Sequence, residues 1–177
     1  MVANAARAKS VEIRVLDEAD ATALFRVRLE ALQREARAFT ESETEHRAHN
    51  VEEIAARTRP TAEGFSLGAF VSGNLVGTLR FERSQRQKQR HRGSLHAMYV
   101  DAEHRYRGIG RALMEEMLRR LRKIECLEQI ELHVATDQEA ARRLYESFGF
   151  THSGKQPRAL KIGDEYVDYG SMILLPS

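Results

Sequence analysis

Residues 100–113 read Val-Asp-Ala-Glu-His-Arg-Tyr-Arg-Gly-Ile-Gly-Arg-Ala-Leu, and this stretch decides the fold. An apolar run ends at Val100, a short polar loop follows, and a long helical pattern opens at Gly108. Physically this is an anion cradle. Gly108 and Gly110 let the backbone approach a ligand closely. The free N–H groups of a first helical turn point outward there, with the positive end of the helix dipole behind them. Arg105, Arg107 and Arg111 can add charge-assisted contacts to phosphate. A P-loop would need Gly-Lys-Ser/Thr after four spacer residues, and no such triplet occurs. A dinucleotide fingerprint would need a third glycine where Leu113 stands. Spacing alone also allows the two glycines merely to shape a strand-to-helix turn.

Outward from the cradle, the helix is expected over Gly108 to Ile124, with Ile109, Ala112, Leu113, Met117, Leu121 and Ile124 on one face. Upstream, Ser94 to Val100 reads as a strand, preceded by the basic run RSQRQKQRHR at 83–92. Phe65–Val71 and Leu75–Phe81 flank Ser72-Gly73-Asn74 as a β-hairpin. Toward the start, residues 11–16 alternate as a strand. Asp20 is placed to cap a helix running to about Ala38, and a short helix covers Val51–Arg59 before Pro60. Downstream, Glu128–Ala135 is a strand with Ile130, Leu132 and Val134 on one face, and Asp137 is placed to cap a helix through Ser147. Strands around 151–161 and 165–175 meet at Gly163-Asp164. The pattern defines an α/β fold with a mixed sheet covered by about four helices, not a strictly alternating doubly wound one.

The 177 residues fit one domain spanning 1–177, with residues 1–9 expected to be flexible. Hydrophobic residues make up 42% and charged residues 31%, an ordinary globular balance. Lys and Arg total 28 against 26 Asp and Glu, so the surface as a whole is not built for nucleic acid or anionic lipid. Cys126, the single cysteine, excludes an intrachain disulfide and any multi-cysteine metal site. No apolar run approaches the ~20 residues of a membrane span. The first ten residues lack the apolar core of a signal peptide. A reducing, cytoplasmic setting is the expectation. The seven histidines show no metal-ligand spacing, so no metal is expected.

Arg105-x-x-Gly108-x-Gly110, preceded by Val100-Asp101-Ala102-Glu103, resembles the acetyl-CoA pyrophosphate motif of the GNAT superfamily of N-acyltransferases. Ala102 stands for the usual Pro and Tyr106 for the first loop glycine. Neither replaced residue is read as necessary for the backbone cradle. Ala141-x-x-Leu144-Tyr145-x-x-x-Gly149-Phe150 is similar to the family's second motif, with Gln138 in place of its Asn. The ends, Arg28–Leu32 with Phe39 and Pro157–Lys161 with Tyr166, Asp168 and Met172, resemble a subset of the same family.

The resemblance implies a mostly antiparallel sheet with a central splay that admits the pantetheine arm between Met98–Val100 and Leu132–Ala135. It implies acetyl-CoA as co-substrate, held by Met98, Tyr99, Val100, Arg105, Arg107, Gly108, Ile109, Gly110, Arg111, Gln138 and Tyr145. Backbone N–H groups near Met98 would stabilise the oxyanion, and Tyr145 would protonate the departing thiolate. His96 is the leading base, an imidazole being suited by its ordinary pKa, with Glu131 and His133 as alternatives. The acceptor is then a small-molecule amine or a protein amino group, and family habit allows a homodimer. Two other classes stay open: a degenerate acetyl-CoA-binding sensor, and a nucleic-acid module using the basic run, which no aromatic residue interleaves. That run is otherwise read as a solvated, mobile hairpin loop.

Overall fold

A computed structural model describes residues 10–176; the expected flexible start at 1–9 lies outside the described residues. One seven-stranded sheet runs in the order β1-β2-β3-β4-β5-β7-β6. Its strands are β1 (Val11–Val15), β2 (Gly64–Val71), β3 (Asn74–Arg83), β4 (Arg92–Val100), β5 (Gln129–Ala135), β6 (Thr151–Ile162) and β7 (Glu165–Leu174). Every neighbouring pair is antiparallel except β4 and β5, which are parallel.

Helices cover the two faces. The α4 helix (Ile109–Leu121) buries Ile109, Leu113, Met114, Met117, Leu118 and Leu121 against one face. Residues at this 3.6-residue spacing make a single apolar stripe. On the other face α1 (Ala21–Arg34) packs Val27, Ala31 and Leu32 against Leu16, Phe70 and Leu75. Because both faces are covered here, β2 reads as a nearly continuous apolar run rather than an alternating one. The helix α5 (Glu139–Glu146) follows β5, and α3 (Val51–Thr58) packs beside α1.

Several local expectations are corrected. The first helix ends at Arg34, and Ala36–Ala38 form a separate 3₁₀ turn. Asp20 gives α1 no side-chain cap; its carboxylate instead takes Arg14 through two 2.7 Å bonds and the Asp17 N–H. Asp137 is likewise not a cap: Gln138 holds that position, and Asp137 pairs with Arg37 at 2.8 Å. The fourth helix stops at Leu121, short of Ile124. A fifth helix, α2 (Glu43–Arg47), was not expected, although Ser42 and Glu45 form a reciprocal capping box that announces it. The basic run is exposed from Gln85 to Arg90, as expected of a solvated loop, and several of its arginines are paired. Arg83 donates to the Arg90 and Glu125 carbonyls, while Arg90 pairs with Glu63 and Arg92 with Glu131.

One irregularity positions the site. Thr78 faces Tyr99 and Arg80 faces His96, so Ala97 and Met98 of β4 together oppose Leu79 alone. This is a β-bulge, which bends its strand. Ala97 sits at φ 52°, a conformation that L residues enter at some cost. The Thr78 hydroxyl donates to the Ala97 carbonyl at 2.9 Å and holds the bulge. Thr78→Val keeps the shape but removes that donor, so urea unfolding should show a loss of about 1–2 kcal/mol. Unchanged stability would mean the bulge needs no such support.

Candidate active site

β4 and β5 are hydrogen-bonded neighbours only from Arg92–Gln129 to Leu95–Leu132. Both continue, β4 to Val100 and β5 to Ala135, but they part. Backbone groups of β4 that would have met β5 beyond Leu95 are left without a ladder partner. A cavity of about 390 Å³ fills the gap. Met98, Tyr99 and Val100 line one wall, and Leu132 to Ala135 line the other. The expected splay is therefore present, at the expected residues.

The cradle closes one end of this cavity. Gly108, at φ 78°, is the residue before α4 and caps it with no side chain. The N–H of Ala112 bonds the Gly108 carbonyl, so Ile109, Gly110 and Arg111 carry the unpaired first-turn donors. A Cβ on Gly108 would meet nothing within 4 Å, so the space before these donors is open. That fits an anionic group seated on the helix end. Gly110 has a different role. Its Cβ would stand 3.2 Å from Met98 Cε and 3.5 Å from Leu144, so its absence lets α4 start close against β4 and α5.

The neighbouring side chains divide their tasks. Arg107 is exposed and unpaired among the described residues, free to meet phosphate. Arg111 donates to Ser147 at 3.1 Å and lies over Phe148. Arg105 turns inward, donating to the Val100 carbonyl at 3.0 Å and to Glu35 at 2.7 Å. It thereby ties the loop to the end of β4 and to the residue after α1. Gln138 donates to the other Glu35 oxygen at 3.3 Å, so Glu35 links the cradle to the start of α5. Tyr106 is fully exposed at φ 60°. That is the left-handed region glycine enters freely, and the chain adopts it here with a tyrosine.

Three tyrosines are buried: Tyr99, Tyr145 and Tyr169. Tyr99 donates to Glu30 and Tyr169 to the Arg37 carbonyl, both at 3.1 Å. Tyr145 has no hydrogen-bond partner among the described residues, and it lines the cavity. Burial raises its pKa, keeping the phenol protonated and able to donate.

His96 lies at the bulge and lines the cavity between the strands and two further hollows beside it. Its side chain keeps 45% exposure, and its Nε2 faces Glu82 at 3.3 Å. Desolvation lowers its pKa, against the opposing pull of Glu82, so the imidazole favours the neutral form. Glu82 was not singled out from the sequence. Its own desolvation works against ionisation, but two bonds from Arg80 and the nearby His96 overcome it and lower its pKa. Alternation along β3 puts Thr78, Arg80 and Glu82 on one face. Only the pairing with β4 shows that this face meets His96.

The alternative bases part company. His133 lines the cavity between the strands. Glu131 lines a neighbouring hollow, where it pairs with Arg92 and accepts from Ser94 at 3.2 Å. Among the described residues no cluster of His, Cys, Asp or Glu could hold a metal ion, and no helix is long and apolar enough to cross a membrane.

A parted parallel pair beside a glycine-opened helix end is the arrangement that the resemblance implies for an acyltransferase. A family model described as "Acetyltransferase (GNAT) family" matches residues 28–150, and the chain belongs to that family. The L-amino acid N-acetyltransferase AaaT of Escherichia coli K12 is 31% identical over 102 residues, 58% of this chain. The matched region spans 62% of that relative's length. An acetyltransferase of the GNAT family from Streptococcus pneumoniae superposes with a TM-score of 0.84 at 24% identity, covering 95% of this chain and all of that one. The yncA protein of Salmonella typhimurium, solved with its cofactor acetyl-CoA, gives 0.81 at 22% identity, covering 94% of each chain.

Two substitutions separate strain from binding. Tyr106→Gly loses no burial and relieves the left-handed backbone, so urea unfolding should show a gain of roughly 1 kcal/mol. A loss would mean that the ring makes contacts after all. Gly108→Ala meets no protein atom but puts an L side chain at φ 78° in the cradle, so calorimetry should show acetyl-CoA binding weakened at least about tenfold. Unchanged affinity would remove the phosphate assignment.

Proposed function

We propose that the chain transfers the acetyl group of acetyl-CoA to a primary amine by direct attack within a ternary complex. The observation that carries this reading is the parted β4–β5 pair, with the open cradle at one end and the unpartnered Tyr145 hydroxyl in its wall. Acetyl-CoA supplies an activated thioester and a thiol leaving group. The N–H groups of Ile109, Gly110 and Arg111 hold its pyrophosphate, with Arg107 adding charge. Arg105 and Gln138 act through Glu35 to fix the loop that carries these donors.

His96 accepts the proton of the incoming ammonium, directly or through water. An alkylamine of pKa roughly 10 must shed that proton to become a nucleophile. With Nε2–H directed to Glu82, the imidazole keeps its lone pair on Nδ1. Glu82 thus orients the base, as a carboxylate does in other acid–base pairs. Backbone N–H groups near Met98, freed by the parting, donate to the carbonyl oxygen as it gains charge. As the carbon–sulfur bond breaks, Tyr145 gives its proton to the sulfur. Glu131, already paired with Arg92, is the weaker candidate for the base, and His133 remains a neighbour of the thioester end. The AaaT relative is named for L-amino acids, which is consistent with a small amine as acceptor here. A cytoplasmic setting suits the exposed free thiol of Cys126.

Two measurements test the assignments. Tyr145→Phe should lower kcat by about 10–100-fold while leaving acetyl-CoA affinity unchanged. Equal loss in both would assign Tyr145 to packing. Because His96 must be neutral and its pKa is lowered, kcat/KM should rise with pH through a midpoint below the ordinary value of about 6.5 and then level. His96→Gln should abolish that acid limb. A limb that survives unchanged would move the base elsewhere.

A further inference from the structure

A second cavity, of about 530 Å³, lies between the α1 and α3 side of the molecule and the face formed by β2, β3 and β4. It meets the cavity between the parted strands at Leu79, His96 and Ala97, which line both. Its volume falls within the roughly 300–1,000 Å³ of small-molecule sites. An acceptor held here would present its nitrogen to His96 at the bulge.

The charges of this cavity do not suit a polyamine. Arg28, Arg57 and Arg80 line it, against the carboxylates of Glu41 and Glu82. Arg80 is committed, its Nε and Nη2 on Glu82 and its Nη1 on Ser66 and the Arg57 carbonyl. Glu41 is committed too: it takes Arg28 Nε at 3.1 Å, and the His46 and His49 rings stand beside its other oxygen.

Arg28 is not fully committed. Its side chain is only 20% exposed and lies over the Phe39 ring at 4.3 Å. Yet Nε makes its only hydrogen bond, so Nη1 and Nη2 have no partner among the described residues. A largely buried guanidinium with two free donors facing a cavity is arranged to take an anion in a two-pronged contact. Arg57 adds to this: its Nη1 lies 3.0 Å from His49 Nε2, and no carboxylate pairs with it among the described residues.

We infer that Arg28, supported by Arg57, reads a carboxylate on the acceptor, so the substrate is an amino carboxylate such as a free α-amino acid. This rests on the acetyltransferase reading of the same site. Both charged groups of such a molecule find partners among the residues that line this one cavity. Its ammonium meets Glu82 and His96, and its carboxylate meets Arg28. A polyamine would instead bring a second cation against Arg28 and Arg57. A protein N-terminus would offer a neutral amide where the free carboxylate belongs.

The experiment pairs L-amino acids with their decarboxylated amines, for example L-leucine with isoamylamine and L-phenylalanine with phenethylamine, and includes spermidine. Thiol release is followed alongside calorimetric binding of acetyl-CoA. At least one amino acid should be acetylated with kcat/KM at least about 100-fold above its decarboxylated partner. Arg28→Gln should raise KM for that amino acid about 10–100-fold and shrink the ratio, with acetyl-CoA affinity unchanged. Arg28→Lys should recover part of the loss. Arg57→Gln, at an exposed position, should act in the same direction more weakly. Acetyl-CoA binding with equal or better turnover of the decarboxylated amines or spermidine would overturn the carboxylate assignment alone. So would acetyl-CoA binding with no amino acid acetylated. Failure to bind acetyl-CoA would instead overturn the reading on which the assignment rests.

Discussion

A parallel strand pair that stops bonding after Leu95 and Leu132 is the constraint on which the rest of the site depends. Unpaired backbone inside a sheet is expensive unless something satisfies it. The separation has two local causes. The bulge at Ala97 bends β4, while β5 stays in register with β7 from Ile130 to Ala135. The backbone groups released by this divergence are the ones a strand-like pantetheine arm can use. The glycine-opened start of α4 lies at the end of the same gap, so one arm can join the cradle to the bulge.

Around that gap the protein spends its fixed charges on scaffolding. Glu35 collects Arg105 and Gln138, joining the residue after α1 to the cradle loop and to α5. Arg80 holds Glu82 beside His96. The groups assigned to chemistry are those left with capacity: the first-turn N–H groups of α4, the Tyr145 hydroxyl, the free imidazole nitrogen of His96 and the terminal nitrogens of Arg28. Buried polar groups are nearly always partnered in folded proteins, and this makes the unpartnered ones informative.

Much of this was legible in the sequence because it depends on local patterns. The stripe from Ile109 to Leu121 set the long helix, Gly108 and Gly110 marked its open end, and the alternation at Ile130, Leu132 and Val134 set β5 and the far wall of the splay. The rest depends on pairing between distant segments. Ala97 carries no bulge signature, since alanine rarely enters the left-handed region. Glu82 looks like an ordinary charge at a strand end until the β3–β4 register brings it to His96. The carboxylates of Asp20 and Asp137 satisfied the local rule for helix caps, and nearby arginines took them instead. Tyr106 hid a left-handed position behind a residue that gives no hint of one.

The most direct test of the parted strands as the acetyl-CoA site is amide hydrogen exchange with and without acetyl-CoA. Addition should slow exchange at residues 96–100, 109–111 and 133–135, while the paired residues 92–95 and the β6–β7 hairpin stay as they were. Binding that protects some other surface and leaves these three segments unchanged would contradict the account.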